Sequence, residues 1–310
     1  MTKLAFVFPG QGSQSVGMLA SYADHPQVAS TIEEASSVLG QDLGALISQG
    51  PESELNQTVN TQPVMLAADV AILRAWRAAG GREPQLLAGH SLGEYAALVA
   101  ADALAFEDAL RLVRARARAM QDAVPEGVGG IAAILGLDEA KIREACEEAA
   151  QGEVVEPANL NAPGQIVIAG TRTAVERAIE AAKSRGAKRG VMLPMSVPSH
   201  CSLMRPAADK LAAELAAIRI SAPRIPVINN ADVASAQTSD AIRDALIRQL
   251  FSPVRWIESV AAMAGQGATH IVECGPGKVL QGMVKRIAPE VSALSLASSS
   301  AIAESITLFE

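Results

Sequence analysis

The chain lacks most of the features that staple a fold or tie it to a membrane or a nucleic acid. Its three cysteines, Cys146, Cys201 and Cys274, are scattered and form no CxxC pair. That spacing argues against a disulfide framework or a zinc site, and it fits a reducing cytoplasm. No uninterrupted run of about 18 apolar residues is present to span a bilayer. Met1 to Pro9 carries one Lys and a short apolar run before Gly10 and Gln11, too little for a secretory core, so no targeting signal is expected. An excess of positive charge is missing too. The formal net charge is −7, which argues against a nucleic-acid footprint. What is present is a chain of 310 residues, 49% hydrophobic and 19% charged. That is enough for one large α/β domain, or a major domain with a smaller insert, and a real core.

Leu4 to Phe8 is a short apolar run ending in Pro9-Gly10-Gln11-Gly12, which reads as a buried strand feeding a glycine-rich turn. Thr61 to Ala79, with Pro63 near its start and Gly80-Gly81 behind it, reads as a helix, and Gln85 to Ala88 as another strand. Strand, turn and helix recur over Leu86 to Val99, at Ile225 to Asn229, over His270 to Ile287 and near Val291 to Leu296. The alternation predicts an α/β fold with a mostly parallel sheet covered by helices. One stretch departs from it. Ile131 to Leu137, Val154 to Asn159, Ile166 to Ala169 and Val191 to Leu193 read as strands around helices over Asp138 to Ala150 and Thr171 to Arg185. The order βαββαβ is the ferredoxin-like arrangement, expected as an inserted subdomain over residues 127–195, with 1–126 and 196–310 forming the larger part.

Gly89-His90-Ser91-Leu92-Gly93 matches GxSxG between a short apolar strand and a helix-forming run. A serine on such a turn has its hydroxyl exposed, and the glycines remove side chains that would clash there. The helix start beneath it supplies amide donors, and the Leu92 amide points where an oxyanion would form. The blander reading is a tight turn that happens to contain serine. A serine nucleophile needs a base, and only four histidines are available: His25, His90, His200 and His270. His200, in Val197-Pro198-Ser199-His200-Cys201, sits at a loop-to-helix boundary and is the best placed; a packing or capping histidine is the alternative. Asp209, Asp232, Asp240 and Asp244 are all open as the group that orients it. Ala109, Val113, Arg116 and Met120 fall on one helical stripe, with Arg111, Arg114 and Arg118 on the opposite, solvated face. An inward arginine must be paired. Beside a reactive serine, Arg116 would select an acyl group that ends in a carboxylate; elsewhere it would be a structural ion pair.

Together FVFPGQGSQ, GHSLGEY, Arg116, VPSH and ECGPGKVL resemble the malonyl-CoA:acyl carrier protein transacylases of bacterial fatty acid synthesis, over nearly the whole chain. The resemblance implies an α/β-hydrolase-like core beside the ferredoxin-like subdomain, with the site between them. It implies Ser91 as acylated nucleophile, His200 as base oriented by the main-chain carbonyl of Gln249, and Arg116 as the malonyl anchor. Gln11 with the Leu92 amide would form the oxyanion hole, so that truncating Gln11 is expected to cost about 2.7 to 4 kcal/mol in the transition state. Gln62, Met120, Asn159 and Asn161 would line the pocket. Malonyl-CoA and holo acyl carrier protein would be the substrates of a monomer without metal or redox cofactor. The motif HAFH or YASH, which informs acyl choice in many polyketide acyltransferases, is replaced here by VPSH, and ECGPGKVL lacks the GxxxxGK of a P-loop. Lys183, Arg185, Lys188 and Arg189, and also Lys278, Lys285 and Arg286, are basic clusters that could meet the carrier. A serine hydrolase and a non-catalytic carrier-binding subunit are the rival readings.

Overall fold

The computed structural model describes residues 2–195 and 197–309. Its larger sheet begins with β1 (Leu4–Phe8), whose five residues are all buried. They alternate between two cores: Leu4, Phe6 and Phe8 face one, Ala5 and Val7 the other. A strand covered on both faces reads as a continuous apolar run, which is why LAFVF shows no polar alternation. β2 (Leu86–Gly89) pairs with β1 in parallel, in a register that sets Phe8 beside Gly89. The chain therefore leaves both strands at the same level.

The smaller sheet holds β3 (Gly129–Leu135), β4 (Val155–Ala162), β5 (Gln165–Thr171) and β6 (Arg189–Met192), ordered β4-β5-β3-β6 with every pairing antiparallel. The helices Glu139–Ala150 and Arg172–Ser184 cover one face, where Ala132, Ile134, Ile166 and Ile168 point. The opposite face carries Ile131, Ala158, Val167 and Ala169 and packs on Cys201, next to the candidate base. β7 (Val227–Ile228), β8 (His270–Glu273) and β9 (Ser292–Ser295) complete the larger sheet, ordered β7-β2-β1-β8-β9 and parallel throughout. The chain moves from β1 to β2 on one side and later returns to β8 on the other, and the crevice outside the carboxyl ends of strands at such a reversal is where open α/β sheets bind ligands.

Most expected elements appear within a few residues of the bounds read from the sequence, with two differences that have physical causes. The helix expected from Thr61 runs over Thr58–Ala78 and carries Pro63 inside it. Its first turn holds because Thr61 donates from Oγ1 to the carbonyls of Leu55 and Gln57, and because Thr58, Thr61 and Gln62 are buried. The strand expected over Ile225 to Asn229 shrinks to two residues. Pro226 has no N–H to give a ladder, and the Asn229 side chain closes its own turn onto the Ala234 carbonyl. Among the described residues, no helix is long and apolar enough to cross a membrane.

Candidate active site

Ser91 stands two residues beyond the end of β2 and adopts φ 52°, the left-handed region that side chains rarely enter. The helix Gly93–Ala100 starts two residues later. Close approach makes the glycines necessary: a Cβ on Gly93 would lie 2.1 Å from the Phe8 carbonyl oxygen, and one on Gly10 would lie 2.5 Å from that of His90. Asn230 holds the strained turn from beneath. Its Oδ1 accepts from the Ser91 amide at 2.7 Å, and its Nδ2 donates to the Gly89 carbonyl at 2.7 Å.

His200 also has a positive φ, 64°, and is 2% exposed. Its main-chain amide donates to the Leu250 carbonyl at 3.0 Å, and its Nδ1 lies 2.8 Å from the Gln249 carbonyl oxygen. A carbonyl only accepts, so Nδ1 carries the proton and Nε2 is left with its lone pair. Nε2 stands 2.7 Å from Ser91 Oγ, the geometry of a base about to take the hydroxyl proton. Burial, and after it the charge of Arg116, pushes the His200 imidazole down to about 3, so it is neutral in the resting site. None of the four candidate aspartates stands at Nδ1, where the main-chain oxygen of Gln249 is found. Asp232 and Asp244 pair with Arg248 and Asp240 with Arg243, while Asp209 is exposed.

Arg116 lies on the buried face of the helix Phe106–Ala123 and is 1% exposed. Its Nη1 donates to Gln62 Oε1 at 2.8 Å, and its Nη2 donates to Gln249 Oε1 at 3.0 Å and to Ser91 Oγ at 3.2 Å. Gln62 is turned this way because its Nε2 donates to Met120 Sδ at 3.4 Å. Every partner of the guanidinium is neutral, and its Nε has none among the described residues. The alternative of an ion pair with one of the protein's own acids does not hold, since no carboxylate reaches Arg116 among the described residues. On the other face Arg111 and Arg118 are exposed, but Arg114 is half-buried and donates to Gln41, so only two of the three expected arginines are well solvated.

Gln62, Ser91, Arg116, Met120, His200 and Gln249 thus form one connected cluster. Asn161 and Asn159 stand to its side. Asn161 Oδ1 lies 2.8 Å from His90 Nε2, and both asparagines line a cavity of about 190 Å³ with Gln11, His90 and Met195. Asn159 also bridges to Val254, which ties the edge of the smaller sheet to the larger body. A second, polar cavity of about 630 Å³ meets the first at Gln11 and Met195. Gln11 does not send its side chain to Ser91. Its Nε2 faces Thr58 Oγ1 at 3.3 Å and Met195 Sδ at 3.4 Å. Leu92 caps the helix Gly93–Ala100. Of the basic clusters, Lys183 and Arg185 are neutralised by Glu180, Glu144 and Glu148, and Arg286 binds Gln165 and the Pro163 carbonyl. Among the described residues, no group of three or more His, Cys, Asp or Glu side chains could hold a metal ion.

Two members of the site escaped motif reading. Glu94, buried three residues beyond the nucleophile, accepts from the Asn230 amide and from Gln249 Nε2, both at 2.9 Å. Its signal was a lone charge at the head of the apolar stretch Tyr95 to Ala100. The signal for Asn230 was a pair of amides closing a strand next to β2.

A serine, a neutral histidine and a buried arginine so arranged beside a parallel sheet are groups suited to acyl transfer. The family described as an acyl transferase domain matches residues 5–302, and the chain belongs to it. It is 58% identical over 309 residues to the malonyl CoA-acyl carrier protein transacylase of Escherichia coli K12, covering 99% of this chain and 100% of that one. Among solved structures it resembles the acyl-carrier-protein S-malonyltransferase of Burkholderia pseudomallei, with 56% identity, a TM-score of 0.97 and coverage of 99% and 100%. It also resembles a malonyl-transacylase in complex with a type II PKS acyl-carrier protein, with 52% identity, a TM-score of 0.98 and the same coverage.

Proposed function

We propose that the protein transfers malonyl groups from malonyl-CoA to the phosphopantetheine thiol of acyl carrier protein through a malonyl-serine at Ser91, supplying fatty acid synthesis. The observation that carries this reading is a buried guanidinium 3.2 Å from the Ser91 hydroxyl with no carboxylate on it among the described residues. Substrate supplies the missing anion. As Ser91 Oγ attacks the thioester carbon, its proton passes to His200 Nε2; the carbon–sulfur bond then breaks and the sulfur leaves with that proton as coenzyme A thiol. The Leu92 and Gln11 main-chain amides are assigned to the oxyanion. The carrier thiol then gives its proton to His200 and attacks the ester carbon; the carbon–oxygen bond breaks and Ser91 Oγ takes the proton back from His200. Arg116 binds the distal carboxylate in both halves.

The names and coverage of the relatives support the same substrate pair. In this reading the larger sheet is an α/β-hydrolase-like subdomain over residues 1–126 and 196–310, and residues 127–195 are a ferredoxin-like one, a division supported by the strand order β4-β5-β3-β6. The enzyme is taken to act as a cytoplasmic monomer, and every step is assigned to its own side chains and amides, with no resident cofactor.

The test is intact-mass spectrometry after brief exposure to malonyl-CoA or acetyl-CoA. Wild type is expected to gain a malonyl adduct and no acetyl adduct. Ser91→Ala should gain neither, and Arg116→Ala should lose malonylation by about a hundredfold, the size of an unpaired buried carboxylate. Equal acylation by both donors would remove Arg116 from the selection step, and rapid release of free malonate without carrier would return the serine hydrolase.

A further inference from the structure

Arg116 has a buried counter-charge that it does not touch. Glu94 is 2% exposed, and its Oε2 accepts from the Asn230 amide and from Gln249 Nε2, each at 2.9 Å. The same Gln249 side chain turns its Oε1 to Arg116 Nη2 at 3.0 Å, while its main-chain oxygen faces His200 Nδ1 at 2.8 Å. One residue therefore links the acid, the arginine and the base. An amide donates only from its nitrogen, so an acceptor at Glu94 sets the Gln249 side chain with its oxygen toward the arginine.

When Glu94 is ionised in the empty site, the two buried charges offset one another. A substrate carboxylate held by Arg116 would leave one negative charge in excess in a region shielded from water, and an uncompensated buried charge is strongly unfavourable. We propose that Glu94 takes up a proton as the malonyl carboxylate docks on Arg116, which makes Glu94 a positioning residue that couples acylation of Ser91 to proton uptake. This coupling rests on the malonyl-transfer reading above. The bond changes at Ser91 are those already given, with the serine proton leaving on the coenzyme A sulfur; the second proton comes from solvent.

The surroundings favour this step. Burial holds the Glu94 carboxyl up at about 7, against the opposing pull of the Asn230 and Gln249 hydrogen bonds and of Arg116. The remaining ionisable groups near it are Tyr95 on its own helix, His200 held neutral, and Asp232 in the loop after β7, which pairs with Arg248. A second carboxylate on Arg116 acts on Glu94 as a like charge and drives its carboxyl higher. The sign follows. Below about 7 Glu94 is protonated before substrate arrives, and acylation takes up nothing further. Above that value the empty protein is ionised there and the malonylated protein is not, so the acylation equilibrium weakens by up to about tenfold per pH unit.

The experiment measures the malonylated fraction by intact mass at a fixed ratio of malonyl-CoA to coenzyme A, from about pH 6 to about pH 9, for wild type and Glu94→Gln, together with proton uptake by an indicator dye in weak buffer. Ionisation of the released thiol is common to both proteins and cancels in the comparison. Wild type is expected to take up nearly one proton more than the variant at about pH 8, with a correspondingly steeper loss of adduct. A merely structural role would shift the fraction equally at every pH and leave the proton count unchanged, which would overturn the coupling. Should Glu94→Gln not fold, wild-type uptake at about pH 8 against about pH 6, corrected for the thiol, decides the matter. An adduct formed without that proton overturns the coupling alone, whereas no adduct at any pH overturns the malonyl reading as well.

Discussion

Gln11 separates two ways of building an oxyanion hole. Its side-chain amide is turned toward Thr58 Oγ1 and Met195 Sδ, so in the proposed reaction the donor left for the carbonyl is its main-chain N–H. Alanine keeps that N–H. Gln11→Ala is therefore expected to slow acylation by less than about tenfold, where loss of a true side-chain donor costs about 10² to 10³. Rapid-quench intact mass reads the rate directly, and a hundredfold loss would return the donor role to the side chain. This revises the larger cost expected from the motif, which names the residue without saying which of its groups faces the nucleophile. Arg116 was legible because helical periodicity separates inward from outward positions. Gln62 and Gln249 came only with the family resemblance, and that their side chains meet Arg116 was not legible, since they lie far from it in the chain and only the fold brings them together.

At the scale of single elements, the elbow depends on contact between β1 and the start of the next helix. A Cβ at Gly93 would stand 2.1 Å from the Phe8 oxygen and 2.8 Å from that of Pro9, and both neighbours are backbone that cannot swing aside. Gly93→Ala is expected to lower stability by about 1 to 3 kcal/mol. It should also abolish labelling of Ser91 by a serine-reactive probe, because strand and helix can separate only by moving the turn between them. Urea unfolding and probe labelling check the two effects; unchanged labelling would mean that the turn relaxes without them. Elements of this kind were the most legible part of the fold. LAFVF and LLAG are buried on both faces and read as apolar runs, and so does IVIAG in the smaller sheet, whose two faces also meet different cores. What periodicity could not supply were boundaries set by tertiary hydrogen bonds, as at Thr61, or by a missing donor, as at Pro226.

Taken whole, the molecule places its reactive pair where two sheets converge. Ser91 rides on the larger sheet, and His200 precedes Cys201, which packs on the smaller one, so the bond between them reports how the two bodies sit together. The larger body also buries two acids whose carboxyl oxygens are not fully partnered among the described residues. Asp69, in the helix Thr58–Ala78, is fully buried, and neither of its carboxyl oxygens has a partner among the described residues. Its neighbour Glu273 places one oxygen on the Gln281 amide and leaves the other unpartnered. Burial, with the nearby Glu273 second, raises the Asp69 carboxyl well above its usual range, and burial brings Glu273 up to about 7. For both groups the folded chain holds its proton more tightly than the unfolded one. Their contribution to stability is therefore full below about pH 4 and is lost as pH rises toward the folded values, at up to about 1.4 kcal/mol per unit for each group. Asp69→Asn removes one of these losses. Urea unfolding across a pH series should show the variant gaining on wild type steadily as pH rises above about 4, whatever their difference at the acid end. Parallel curves would mean that Asp69 ionises in the folded protein as readily as in water, and that its burial is relieved by solvent entering behind the site.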